Sequence, residues 1–161
     1  MFGYRTDPDG REAFGEEAYQ NDVATVQAIA DALRINGYEL GCYTYENRPY
    51  GVYALSEIQA DQQMWNDEVV SVLGAFDIMV FAQSSDINSG MLYTGEKYEY
   101  LKSIGYNYFL GFATEGDSFT FIDDEYVRQG RMLVIADNII HNSEWFNGIF
   151  TTENLLDEQR N

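Results

Sequence analysis

The feature that most constrains this sequence is a unit that recurs three times: a helical stripe, a glycine, then a short apolar run. In the first unit Val23, Val26, Ile29, Ala30 and Leu33 repeat at steps of three and four, and Gly37 stands where a left-handed stop belongs. Asn21 or Asp22 is the expected cap, and "YELGCY" (residues 38–43) follows as a strand. In the second, Ser56-x-x-Gln59 has the form of a capping box. Ile58, Trp65, Val69 and Val72 make the stripe, Gly74 ends it, and "DIMVFA" (77–82) follows. In the third, Thr94 caps a stripe of Tyr98, Leu101 and Ile104, Gly105 stops it, and "YNYFLGF" (106–112) is the strand. A continuous apolar run such as "DIMVFA" is the mark of a strand covered on both faces. Three such units predict an α/β fold: a mainly parallel sheet with crossover helices. Loops at the carboxyl ends of its strands should form the functional face.

Beyond residue 112 the rhythm loosens. "SFTFI" and "YVRQGRMLVIA" read as strands around the acidic turn "DDE" (123–125), and "NSEWFNG" and "TTENLLDEQRN" as short terminal helices. No linker or low-complexity run divides residues 1–161, so one domain is expected. A hydrophobic fraction of 45% is ample for a core. Thirteen Tyr and ten Phe against two Pro point to half-buried rings with polar tips, a composition shared by sugar-contacting surfaces and by Tyr-rich cores.

Charge excludes more than it assigns. The net charge is -18 with nine basic residues in all, too few to neutralise a phosphate backbone, so nucleic acid is not an expected partner. An anionic membrane surface is disfavoured for the same reason. The single cysteine, Cys42, has no internal disulfide partner and reads as a small buried hydrophobe. No apolar run reaches 18 residues, so no transmembrane helix is expected. Met1 leads straight into "FGYRTDPDG", which is no signal peptide; an exported protein would carry its signal upstream.

The second unit carries more than periodicity. "GYELGCYTYENRPYGVYALSEIQADQQMW" resembles the second signature of the polysaccharide deacetylase (NodB-homology) family: a Gly-x-Glu-x-Gly strand, a metal motif, then a helix start. Residues 37–41 match the strand, Thr44 the small hydroxyl residue of the motif, and Leu55, Ser56, Glu57 and Ile58 the helix start. "EYLKSIGYNYFLGF" (99–112) resembles a later helix–strand unit, and "SEWFNGIFTTENLLDEQRN" the ending of a divergent branch. The resemblance implies a (β/α) barrel, here partial or distorted, since 161 residues is short for one. It also implies a zinc ion on one Asp and two His, a second Asp as base, and removal of acetyl groups from N-acetylated sugars. The chain departs at those positions. Tyr43 and Asn47 stand where the family has its metal histidines, and neither suits zinc. No Thr-Phe-Asp-Asp-Gly signature is present, and the third signature falls near "FAQSSD" (81–86) without its Arg.

The resemblance therefore implies a catalytically degenerate, carbohydrate-recognising domain, extracellular or on a bacterial cell surface, with no cofactor expected in this chain. An alternative is the carboxyl-terminal portion of an active metal-dependent deacetylase, its Asp-bearing strand lying upstream. A second is a flavodoxin-like intracellular module, for which "SSDINSG" (84–90) is the one stretch of phosphate-loop composition. The candidate ligand contacts are Tyr43, Tyr45, Asn47, Gln83, Asp86, Arg128 and Arg131, where rings, amides and scarce cations meet strand ends. The rings equally suit plugs for the space of a lost metal, and the arginines suit structural salt bridges. His141 is the weak catalytic candidate, set against a surface or capping role. Asp7, Asp9 and Glu12 invite calcium, but "DPDG" reads more simply as a turn; residues 123–125 read as a solvated turn.

Val23, Val26, Ile29, Leu33, Trp65, Val69, Leu101 and "IMVF" are the expected core. If barrel-closing strands are missing, an edge is left open. Either Phe2, Tyr4, Tyr50, Tyr53, Trp145, Phe146 and Phe150 fold across it, burying Trp145, or a dimer closes it.

Overall fold

The computed structural model describes residues 8–88, 92–112, 119–146 and 148, with residues 8–10 described by their backbone alone. It opens with two helices, α1 (Pro8–Phe14) and α2 (Glu16–Ile35), broken at Gly15, whose φ of 85 no side chain favours. Pro8 starts a helix, where its fixed φ and missing N–H fit, so "DPDG" is not the turn its composition suggests. Asp7 and the Asp9 side chain lie outside the described residues, and Glu12 is exposed. Helix α2 also begins before Asn21 and Asp22, because "EEAYQ" continues back to Gly15 and its two acids favour a first turn.

The stripe expected on α2 is mostly not core. Ala30 is its one buried residue; Val23 and Val26 are half-buried, while Ile29 is 52% exposed and Leu33 lies at the surface. The reason is narrow packing. The helix meets the short α4 (Ser71–Leu73) along a seam at Ala30, beside Val69 and Leu73. Two polar tethers hold it there: Gln27 Nε2 donates to Val72 O at 3.0 Å and Arg34 Nη2 to Leu73 O at 2.7 Å.

Residues 38–43 make no full strand. Cys42 alone bridges Met79 in parallel, with Cys42 N–H on Ile78 O at 2.8 Å and Val80 N–H on Cys42 O at 2.7 Å. The second helix runs α3 (Leu55–Trp65), a π-helical turn (Asn66–Val70) and α4, then stops at Gly74 with φ 81. Its cap lies at Ala54 rather than Ser56, and the Glu57 carboxylate accepts the Ala54 N–H at 2.9 Å. Strand β1 (Ile78–Val80), a 3-10 turn (Ala82–Ser84), α5 (Glu96–Ser103) and β2 (Tyr108–Phe112) follow. The hairpin β3 (Thr120–Ile122) and β4 (Val127–Arg131) completes the sheet, and α6 (Ala136–His141) lies beyond it.

The fold is α/β, with one mixed four-strand open sheet in the order β1-β2-β4-β3. β1, β2 and β4 are parallel and β3 is antiparallel to β4. The sheet does not close into a barrel. Each new parallel strand is added on the same side, from the Cys42 bridge through β1 and β2 to β4, without the reversal of order that makes a flavodoxin-like crevice.

One sheet face is packed. Met79, Phe81 and Phe109 are fully buried there with Tyr50, Ile58, Tyr98, Leu101 and Tyr126. Phe109 is the hub, stacked on Phe81 at 6.2 Å and edge-on to Tyr93 at 5.3 Å. On the other face Ile78, Val80 and Leu110 are half-buried and Tyr108 is exposed, so β1 is not covered on both faces as its apolar run suggests. Of the rings expected to cover an open edge, Tyr50 belongs to the core and Tyr53 packs against it. Phe146 is buried and Trp145 partly so, both being among the rings expected to be covered; Phe2, Tyr4 and Phe150 lie outside the described residues.

Candidate functional site

The loop after the Cys42 bridge is built around a carboxylate on α3. Asp61, 2% exposed, accepts the Tyr45 N–H at 2.9 Å, the Glu46 N–H at 3.0 Å and the Tyr50 hydroxyl at 2.5 Å. Arg48 Nε lies 3.4 Å from its other side. Three donors and a nearby cation satisfy the buried charge, as a water-free site requires. Gln62 continues the network: its Nε2 donates to the Tyr50 oxygen at 2.7 Å, and its Oε1 accepts the Tyr106 hydroxyl at 2.9 Å. Burial, then the Asp61 carboxylate, pushes the Tyr50 phenol far above its ordinary range. Cys42 is fully buried beside this network, and burial raises its thiol too.

Held this way, the loop takes a strained path. Thr44 has φ 57 and Asn47 φ 56; Asn tolerates that region, but a β-branched Thr does not adopt it without support. The support is visible: Thr44 Oγ1 accepts the Arg48 N–H at 2.8 Å and the side chain is buried. The loop after β1 is strained in the same way, with Gln83 at φ 52 and Ser84 at φ 55. Among the described residues these four are the non-glycine residues with positive φ; two follow the Cys42 bridge and two follow β1, the strand it pairs with in parallel. Gln83 joins the two loops, its N–H donating to the Tyr43 hydroxyl at 3.4 Å and its Nε2 to Asn47 O at 2.8 Å. Tyr43 is 46% exposed, and Asn47, Gln83 and Ser84 face solvent around it.

Arg131, at the end of β4, reaches the same edge. Its Nε donates to Gly111 O at 3.0 Å and its Nη2 to Phe81 O at 2.5 Å, which anchors a half-buried positive charge on the backbone at the carboxyl ends of β1 and β2. Tyr43, Asn47 and Gln83 thus come together, with Arg131 anchored on the carbonyl of Phe81. The other expected contacts do not. Tyr45 turns away, its hydroxyl donating to Glu68. Arg128 is 2% exposed and points into the packed face, where its Nη2 binds Asp86 Oδ2 at 2.8 Å and its guanidinium lies 4.3 Å from the Tyr93 ring centre. The Tyr93 hydroxyl donates to Asp86 Oδ1 at 2.6 Å, and burial followed by that carboxylate drives its phenol well up. Gly111 makes room for Asp86: a Cβ there would stand 2.1 Å from Oδ2. Asp86 and Arg128 are therefore a buried structural pair.

His141 is exposed on α6, its Nε2 3.7 Å from Asp137 Oδ1 one turn earlier. Residues 123–125 form the hairpin turn, Asp123 Oδ1 accepting the Glu125 N–H at 2.7 Å and the Tyr126 N–H at 2.9 Å. Sequence reading missed Asp61 and Gln62. Their signal is positional: with Ile58 and Trp65 they occupy steps i, i+3, i+4 and i+7 of one helix stripe, where polar residues are out of place unless they bond inward.

Tyr43 and Asn47, where the resemblance implies metal ligands, do not fit zinc. The Tyr43 oxygen accepts a backbone N–H, Asn47 is a neutral amide, and among the described residues no three of His, Cys, Asp and Glu converge. No family model matches the sequence, and no match is found among curated proteins or solved structures.

Proposed function

We propose that the chain is a carbohydrate-recognising domain of polysaccharide deacetylase type, catalytically degenerate, which binds N-acetylated sugars at the Tyr43–Asn47–Gln83–Arg131 edge outside a bacterial cell. The observation that carries this reading is the clustering of left-handed backbone at Thr44, Asn47, Gln83 and Ser84, in two loops stitched by Gln83. Such strain costs on the order of 1–3 kcal/mol per residue and gathers where a chain holds groups ready for a ligand. The groups held are suited to sugar: an exposed phenol ring for a pyranose face, amides for hydroxyl and acetamido groups, and a fixed guanidinium. The one-sided addition of parallel strands supports a segment of a deacetylase-type barrel.

The test is a titration with chitin tetraose, followed by amide NMR, beside its deacetylated counterpart. A chain of charge -18 attracts cationic glucosamine oligomers without specificity, so the comparison belongs in 1 M salt, where the Debye length is about 3 Å. Shifts at residues 43–47 and 83–84 with the acetylated oligomer, lost in Tyr43→Ala, are the expected result. No saturable shift there with any N-acetylated oligomer overturns the assignment. Zinc at one per chain with acetate release would instead establish an active deacetylase.

A further inference from the structure

A cavity of about 280 Å³ opens at the amino ends of β1 and β2, sharing no lining residue with the Tyr43 edge. Four rings, Trp65, Phe76, Tyr100 and Tyr106, stand in its walls beside amides and aliphatic side chains. Among the described residues no Lys, Arg, Asp or Glu lines it, although acids are abundant elsewhere in the chain. The volume is near the lower end of small-molecule pockets, which run from about 300 to 1,000 Å³.

Two features set this cavity apart from a packing gap. The π-helical turn lies against it, and its first and last residues, Asn66 and Val70, both line it. A π turn gives up regular i to i-4 bonding and recurs at functional sites. The second feature is a set of open polar groups. Among the described residues neither the Tyr100 hydroxyl nor the Asn66 side-chain amide makes a hydrogen bond, and with Tyr100 half-buried and Asn66 exposed both stay open to a ligand. By contrast, Gln62 and Tyr106 satisfy each other. A donor–acceptor pair beside aromatic walls, with no bond of its own to give up, is what a ligand with a polar edge can use.

We propose that this cavity is a binding site for a small uncharged aromatic molecule carrying an amide or similar donor–acceptor edge. The rings receive its flat faces; Tyr100 and Asn66 receive its polar edge. Among the described residues the lining holds no cation to favour an anion and no carboxylate to hold a cation.

Benzamide is the probe, with benzoate and benzylamine as charged controls. In Trp145→Phe protein, Trp65 is the remaining tryptophan and reports on the cavity directly. Saturable change in its fluorescence with benzamide, at least about tenfold stronger than with either charged control, is the expected result. Tyr100→Phe should weaken it about fivefold, the loss of one neutral hydrogen bond, and Val70→Phe should abolish it by filling the space. Far-ultraviolet circular dichroism identifies any variant that fails to fold, and Tyr100→Phe, which only removes an oxygen, keeps the test decisive. No saturable response to benzamide, or an equal response in Val70→Phe, overturns the site. Chitin-oligomer binding at the Tyr43 edge should be unchanged in Val70→Phe, so the two readings fail separately.

Discussion

The two faces of the sheet begin from similar sequence and end differently. Met79 and Phe109 point to one face, Ile78, Val80, Tyr108 and Leu110 to the other, and all are apolar or aromatic. The first pair is fully buried under α3 and α5 side chains; the second set is half-buried or exposed. The packed face also holds the ion pair of Asp86 and Arg128, while Gln129 on the other face meets solvent. An apolar strand thus shows what can be covered, not what is. The difference lies in the crossover helices, which lay Ile58, Tyr98 and Leu101 on one side.

The largest expected effect is alkaline unfolding of the packed side. Burial raises the Tyr50, Tyr93 and Tyr106 phenols far above their ordinary value, so the folded chain keeps protons that the unfolded chain releases above about pH 10. Their stabilisation is complete below that pH and falls as pH rises beyond it. Circular dichroism and phenolate absorbance, followed together, should show these rings ionising only as the fold is lost. Their ionisation in folded protein would break the contrast between the faces.

Within the packed face, Phe109→Ala should cost about 3–5 kcal/mol in urea unfolding, as the hub of five rings is emptied. Asp86→Ala should cost about as much, because it leaves Arg128 buried without its carboxylate. Replacing both members, Asp86→Ala with Arg128→Met, should be milder than Asp86→Ala alone. If the double replacement is the worse, the pair does more than satisfy itself.

Asp61→Ala should cost about 1–3 kcal/mol and shift the Tyr45 and Glu46 amide resonances, since both N–H groups lose their acceptor. The smallest effect is expected on the open face. Gln129→Ala should change stability by less than about 0.5 kcal/mol. A cost of several kcal/mol there would mean that the face is covered in solution.

Much of the element order was legible in the sequence, for local reasons. Gly37, Gly74 and Gly105 take the positive φ values that end helices, and the strands after Gly74 and Gly105 lie where apolar runs announce them. The Tyr43–Asn47 loop was visible too, as polar and aromatic residues at a strand end. Its strained backbone was not, because Thr44 and Gln83 carry no sequence mark for left-handed geometry and are held in it by tertiary partners such as Arg48 N–H and Asn47 O. Nor did Arg128 and Arg131, three apart, reveal that alternation along β4 sends them to opposite faces, one into an ion pair and one to the site. Helix ends, strand runs and turn residues obey forces acting over a few positions, and those the sequence determined by itself. Which apolar face is covered, which carboxylate is buried and which cation reaches the strand ends depend on partners tens of residues away. Only the tertiary structure decided them, because burial and hydrogen bonding are settled by neighbours in space.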